Sequence, residues 1–246
     1  MSANAFDALV RVGLNLHGVI DVASLPAEVH TRLPRRDDGA AHAQLILIGN
    51  AGPTLWRAVQ AARPASEHPI DDFSRAAVAR WLAAQAGGAS RHWLYPGDSP
   101  VGLQSLGALF GWHHPSPFMV GIQPDWGTWF AYRVAVLADT ALPPTPPRQP
   151  RSPCADCSAQ PCRSACPAGA MAGETFSLPA CVDWRLRAGS SCAETCLARL
   201  ACPVGTAHRY DEGQIRHGYT QSLRWLRQSP EAPGAPGRTH GESAPD

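Results

Sequence analysis

All eight cysteines of this chain fall between Cys154 and Cys202, and none occurs in the 153 residues before them. A thiol packs like a small apolar side chain, so packing alone gives no reason to segregate cysteines. This stretch is therefore expected to fold around whatever its sulfurs bind. The cysteines divide into two quartets, each closed by a proline. The first is Cys154-x2-Cys157-x4-Cys162-x3-Cys166-Pro167, the second Cys181-x10-Cys192-x3-Cys196-x5-Cys202-Pro203. Three uses compete: a disulfide framework, two structural zinc sites of four thiolates each, and iron–sulfur clusters. The opening "MSANAFDALVRVGLNLHG" has no basic start followed by an apolar core and a small-residue cleavage site. No export is expected from it, and no apolar run has the length of a membrane span. A soluble cytoplasmic protein with reduced thiols is the expectation, with no membrane partner, and it disfavours disulfides.

Bacterial-type ferredoxins use C-x2-C-x2-C-x3-C-P twice, and each fourth cysteine ligates the other cluster. The two Cys-Pro endings here follow that design, although four of the spacings differ: x4 in the first quartet and x10, x3 and x5 in the second. Crossing the fourth ligands assigns Cys154, Cys157, Cys162 and Cys202 to one [4Fe–4S] cluster. It assigns Cys166, Cys181, Cys192 and Cys196 to the other. Small neighbours such as Ala155, Ser158, Ala165, Ala168, Gly169 and Ala170 let the backbone approach a cluster closely.

Just before the cysteines, "LPPTPPRQPRSP" (142–153) carries six prolines and should be an extended connector. The expected organisation is a domain over 1–141, this linker over 142–153, an iron–sulfur module over 154–228 and a disordered tail over 229–246. The tail, "SPEAPGAPGRTHGESAPD", has too little apolar surface to bury. The net charge of +1 shows no overall basic excess of the kind a nucleic-acid footprint produces.

The first domain mixes strands and helices. "AQLILIGNAG" (43–52) reads as a buried strand into a turn, and a helix follows from Pro53. "DDFSRAAVARWLAAQAGG" reads as a helix from Asp71, with Asp71 or Asp72 as its cap. "RHWLYPGD" (91–98) reads as a strand, "PVGLQSLGALFG" (100–111) as a helix and "GTWFAYRVAVLAD" (127–139) as a core strand. The fold class is α+β. After the last cysteine, a helix is expected from about Glu212 to Arg227, packed over the cysteine module.

With these elements placed, the chain resembles two known groups. "CADCSAQPCRSACPAGAM", the lone Cys181 and "CAETCLARLACPVG" resemble the two-cluster module of epoxyqueuosine reductases. "SPVGLQSLGALFGW" and "GIQPDWGTWFAYRVAVLADTALPPTPP" are similar to the cobalamin-binding core of that family and to the cobalamin-processing MMACHC (CblC) proteins. The resemblance covers roughly residues 90 to 210. It implies a nitroreductase-like, cobalamin-binding-type core followed by a ferredoxin-like module. The reductases carry a catalytic acid three residues before the proline of an Asp-Ser-Gly-Pro turn. In "PGDSP" that position is Gly97, and the acid, Asp98, stands one place off. Asp98 is either the displaced acid or a helix cap. Where the reductases have Gly-Lys-Asn, this chain has "GWHHPSPF". The histidine that precedes proline in the MMACHC turn is here Gln123, whose amide bonds a corrin amide but is a poor cobalt ligand. Trp129, Phe130 and Arg133 are the further corrinoid candidates, although one of the two aromatics must face the core. Paired loop histidines such as His113 and His114 are usually solvated.

The reading that results is an iron–sulfur redox protein that binds cobalamin and reduces or dealkylates it. Its two [4Fe–4S] clusters pass electrons from a ferredoxin or flavoprotein donor. The alternatives are an epoxyqueuosine reductase-like enzyme acting on tRNA, and an electron carrier with no corrinoid.

Overall fold

The computed structural model describes residues 5–86, 90–97, 99, 101–146 and 148–228. In chain order its regular elements are α1 (Asp7–Arg11), β1 (Leu16–Asp21), α2 (Ala27–His30), β2 (Gln44–Ala51), α3 (Thr54–Ala62), α4 (Pro69–Ala86), β3 (Arg91–Tyr95), α5 (Leu103–Leu109) and β4 (Phe130–Ala138). After these come α6 (Pro161–Ser164), α7 (Leu178–Leu186), α8 (Leu197–Ala201) and α9 (Glu212–Gln228). Among the described residues, no helix is long and apolar enough to cross a membrane.

The chain is a mixed α/β protein with a small sheet. Its four strands run in the order β1-β2-β4-β3, every pair antiparallel. The centre of the sheet follows from composition. All eight residues of β2, QLILIGNA, are buried, as a strand covered on both faces requires. On one face Ile46, Ile48, Val134 and Val136 pack with Leu55 and Val59 of α3 and Ala77, Val78, Trp81 and Leu82 of α4. The buried positions of α4, Ser74, Ala77, Val78, Trp81 and Leu82, recur at three- and four-residue spacing, which makes one helical stripe. On the other face Leu45, Leu47, Ala135 and Leu137 meet Leu106 of α5, with Phe110 and Trp112 just beyond it.

Two irregularities shape this sheet. The β2–β4 register steps from Ile48↔Val134 to Gly49↔Tyr132, which leaves Arg133 as the extra residue of a bulge. A second step, from Trp93↔Val136 to Tyr95↔Ala135, leaves Leu94 extra on β3. Bulges re-aim side chains, and that of Arg133 leaves the strand alternation here.

Several elements begin elsewhere than their sequence suggests. α4 starts at Pro69, so Asp71 and Asp72 lie in its first turn and do not cap it. Proline fits a first helical position because it lacks the N–H that would be unpaired there. α5 starts at Leu103, after an extended Gly102. β4 starts at Phe130, because Gln123 and Gly127 close a turn by exchanging both backbone hydrogen bonds, at 3.0 and 2.9 Å. Gly127 has φ 58°, and a Cβ there would fall 2.0 Å from the Val204 carbonyl oxygen.

The chain forms two compact units. The first comprises residues up to 114, 121–153 and 204–209; the second comprises 115–120, 154–203 and the chain from 210 on. The second unit holds all the cysteines. In it α9 packs on α7 through Val182, Leu223 and Leu226, flanked by Leu186 and Ala193. A separate core joins Phe118 to Cys162, Met171 and Ala198.

Candidate metal centre

The second unit arranges its cysteines with short elements. Cys154 lies in a 3₁₀ turn, Pro153–Asp156. The long spacing from Cys157 to Cys162 is taken up by Gln160 at φ 39°, followed by Pro161 at the start of α6. A left-handed residue reverses the chain locally, so Cys162 returns toward the first two thiols despite the two additional residues. Cys181 lies on α7, and Ser190 Oγ accepts from the Cys192 amide at 3.2 Å. Cys196 and Cys202 flank the two ends of α8. Six residues at helical rise separate these two by roughly 9 Å.

Electrostatics reports which thiols are neighbours. Burial, then Cys202, Cys162 and Cys157, push the Cys154 thiol above its usual range. Burial, Cys202 and Cys157 do the same for Cys162, opposed by the backbone N–H groups of Cys162 and Arg163. Cys181 is pushed up to about 11 by burial and by Cys196, Cys166 and Cys192, against the opposing charge of Arg185. Cys196 rises through burial and Cys192, while N–H groups of Arg199 and Ala198 and the Tyr219 hydroxyl oppose it. The thiols that act on one another are thus Cys154, Cys157, Cys162 and Cys202 in one set, and Cys166, Cys181, Cys192 and Cys196 in the other. These four titrations include no influence of one set on the other.

All eight cysteines are free thiols. Among the described residues, no three His, Cys, Asp or Glu side chains converge on the position of one metal ion. A zinc ion gathers its thiolates to about 2.3 Å of a single point. A four-iron cluster instead presents a separate iron to each of four thiolates. A coordinating thiol is deprotonated, so these thiols would give up their protons on binding a metal.

The remaining candidates lie in the first unit, except Asp98, which falls outside the described residues. Gln123 is buried, and its Oε1 accepts from the Asp125 amide at 3.1 Å. It lines a cleft of about 400 Å³ with Trp112, Asp125, Trp126 and Arg148. Trp129 is fully buried and Phe130 is 7% exposed. Arg133 donates from Nε to Asn50 Oδ1 at 2.8 Å and approaches Asp71 at 3.9 Å, and Tyr95 donates to the same carboxylate at 3.3 Å. Asp71 is therefore a partner in this group. Trp129 and Phe130 are packed in the core, while the Arg133 side chain is 16% exposed.

The histidine pair also differs from expectation. His113 Nδ1 and His114 Nε2 are buried, with no hydrogen-bond partner among the described residues. Burial and the neighbouring His114 hold His113 below its usual range. Sequence reasoning also passed over Phe118, Arg185 and Tyr219. One sequence signal was present: Arg185 lies one helical turn after Cys181, where two side chains share a face.

No family model matches the chain, and no curated protein sequence matches it. Solved structures do. A selenomethionine-labelled epoxyqueuosine reductase is similar at TM-score 0.51 and 12% identity, over 85% of this chain and 68% of that one. Epoxyqueuosine reductase from Streptococcus thermophilus gives 0.51 and 10%, over 84% and 66%. An epoxyqueuosine reductase with an epoxyqueuosine-modified tRNA-Tyr stem loop gives 0.52 and 11%, over 86% and 67%. The chain shares a fold with epoxyqueuosine reductases.

Proposed function

We propose that this chain is an iron–sulfur oxidoreductase of the epoxyqueuosine reductase type. Cys154, Cys157, Cys162 and Cys202 hold one four-iron cluster, and Cys166, Cys181, Cys192 and Cys196 hold the other. The observation that carries this reading is the separation of the thiols into two crossed sets within a chain of that fold. Bound clusters supply one-electron transfer. The chain's own residues do the rest. α8 fixes a ligand at each end, backbone N–H groups point at Cys162 and Cys196, and Phe118 with Met171 makes an apolar wall against Cys162.

The substrate class that comes with this reading is an epoxide on a modified base in tRNA, because one of the similar structures holds such a stem loop. The fold likeness favours this substrate over reduction of free cobalamin. The test is anaerobic reconstitution followed by assay. Two clusters per chain and conversion of an epoxyqueuosine stem loop, with and without added cobalamin, are expected. Two clusters without conversion would overturn the substrate, and zinc binding in place of iron would overturn the whole reading.

A further inference from the structure

Beside the second cysteine set lies a buried charge with no acidic partner. Arg185 is only 9% exposed. Its Nε donates to the Cys192 carbonyl at 3.3 Å, one terminal nitrogen to Ser222 Oγ at 3.0 Å and the other to the Tyr219 carbonyl at 3.0 Å. Its guanidinium also lies 5.2 Å from the Tyr219 ring centroid. Every one of these acceptors is neutral, and no carboxylate pairs with Arg185 among the described residues. A guanidinium keeps its charge in any protein setting, and a buried charge without a counter-ion is strongly unfavourable. The second cysteine set is the neighbour at hand: Arg185 lies one helical turn after Cys181 on α7, and its Nε is bonded to the Cys192 carbonyl. Four thiolates around a four-iron core leave a net negative charge for it to balance.

A second contact acts in the same direction. The Tyr219 hydroxyl donates to the Cys196 sulfur and accepts from Arg199. At the first set, the adjacent Arg163 turns its guanidinium to the Met171 and Gly173 carbonyls.

We propose that Arg185, with the Tyr219 hydroxyl, holds the second cluster site at a higher reduction potential than the first, so that an electron rests there. The inference depends on the two-cluster reading above. An added electron makes the site more negative. A fixed cation and a hydrogen bond to a ligand sulfur both favour that state, and the low local dielectric strengthens both. The step is the transfer of one electron from a low-potential one-electron donor, with no proton moved. Arg185 and Tyr219 are positioning residues, acting through ligands and not on substrate.

The test is a dithionite redox titration of the reconstituted full chain followed by electron paramagnetic resonance. Cys157→Ala disables the first site, so the remaining signal belongs to the second. In that background Arg185→Met is expected to lower the reduced-to-oxidised ratio at a fixed poise at least tenfold, which is 59 mV for a one-electron couple. Arg185→Lys should restore part of the loss, and Tyr219→Phe should give a smaller loss. An unchanged ratio in Arg185→Met with iron retained overturns the proposal. Should Arg185→Met lose its iron, Tyr219→Phe decides, because it removes only a hydroxyl; an unchanged ratio there also overturns it. Failure of the two-cluster reading would show separately, as a wild-type chain that reconstitutes without two sets of signals.

Discussion

A methyl group on Gly107 would lie 1.9 Å from the Tyr132 hydroxyl. Glycine inside a helix ordinarily costs about 1 kcal/mol relative to alanine, so its place in α5 has a steric cause. The Tyr132 ring meets Phe130 edge-on at 5.7 Å, and burial pushes its phenol far above the usual range. The ring has little freedom to withdraw. Gly107→Ala is expected to destabilise the fold by about 1–3 kcal/mol through overpacking. Urea unfolding checks this, and a raised midpoint would count against the packing described.

The Arg133–Asn50 bond separates two roles for the arginine. Asn50 is fully buried, and its Oδ1 accepts from Arg133. Arg133→Met should cost about 1–3 kcal/mol, because a buried acceptor loses its partner. A corrinoid-binding role makes a different prediction: unchanged stability with lost affinity for methylcobalamin. Urea unfolding and a visible-absorption titration on one variant separate the two.

Much of this architecture was legible in the sequence where one rule dominates. The apolar run of β2 and the repeating stripe of α4 were readable because burial imposes a period on residue type. The crossing of the cysteine sets is an expectation from the Cys-Pro endings, and the double variants of these cysteines test it. β1 was not readable: His17 and Gly18 interrupt its pattern. Gly18 is needed there because the Phe110 ring occupies the space 2.7 Å from where its Cβ would stand, a long-range demand with no local trace. The commitment of Arg133 to Asn50 was equally hidden, since it follows from a bulge. Phe118 lies more than thirty residues before the thiols of its core, with no local sign of them in the sequence.

Acid should destabilise the first unit through His17. Its ring stacks on Phe6 with centroids 4.3 Å apart, and its Nε2 donates to the Leu14 carbonyl at 2.7 Å. Burial holds its pKa below the ordinary histidine value. In the unfolded chain it titrates near its ordinary value, about 6.5. As pH falls through that value, the unfolded chain takes a proton that the folded chain refuses, so stability falls. Above about pH 7 this contribution is fully present and flat. Urea midpoints between about pH 7.5 and about pH 5.5 should drop, and His17→Gln should show a shallower drop. An equal slope in the variant would remove His17 as the cause.

Phe118 should protect iron as well as the fold. It is 7% exposed and packs on Cys162, Met171 and Ala198, with Cys166 and Cys196 at the edge of the same core. Its core therefore includes members of both thiol sets. Phe118→Ala is expected to cost about 3–5 kcal/mol and to hasten bleaching of cluster absorbance in air. Met119, next to it and 62% exposed, supplies the control. Met119→Ala should bleach at the wild-type rate, and equal bleaching of all three proteins would remove Phe118 from this role.

The crossing of the fourth ligands can be tested by pairing substitutions. If Cys202 completes the set of Cys154, a Cys154→Ala/Cys202→Ala double variant damages one site twice. It should keep about half of the wild-type iron, as either single variant does. Cys154→Ala/Cys166→Ala should damage both sites and keep almost none. An uncrossed arrangement reverses the two results, because it places Cys154 and Cys166 on the same cluster. Cys196 and Cys202 stand at opposite ends of one short helix. Iron and sulfide counts on the two double variants, reconstituted side by side, decide between them.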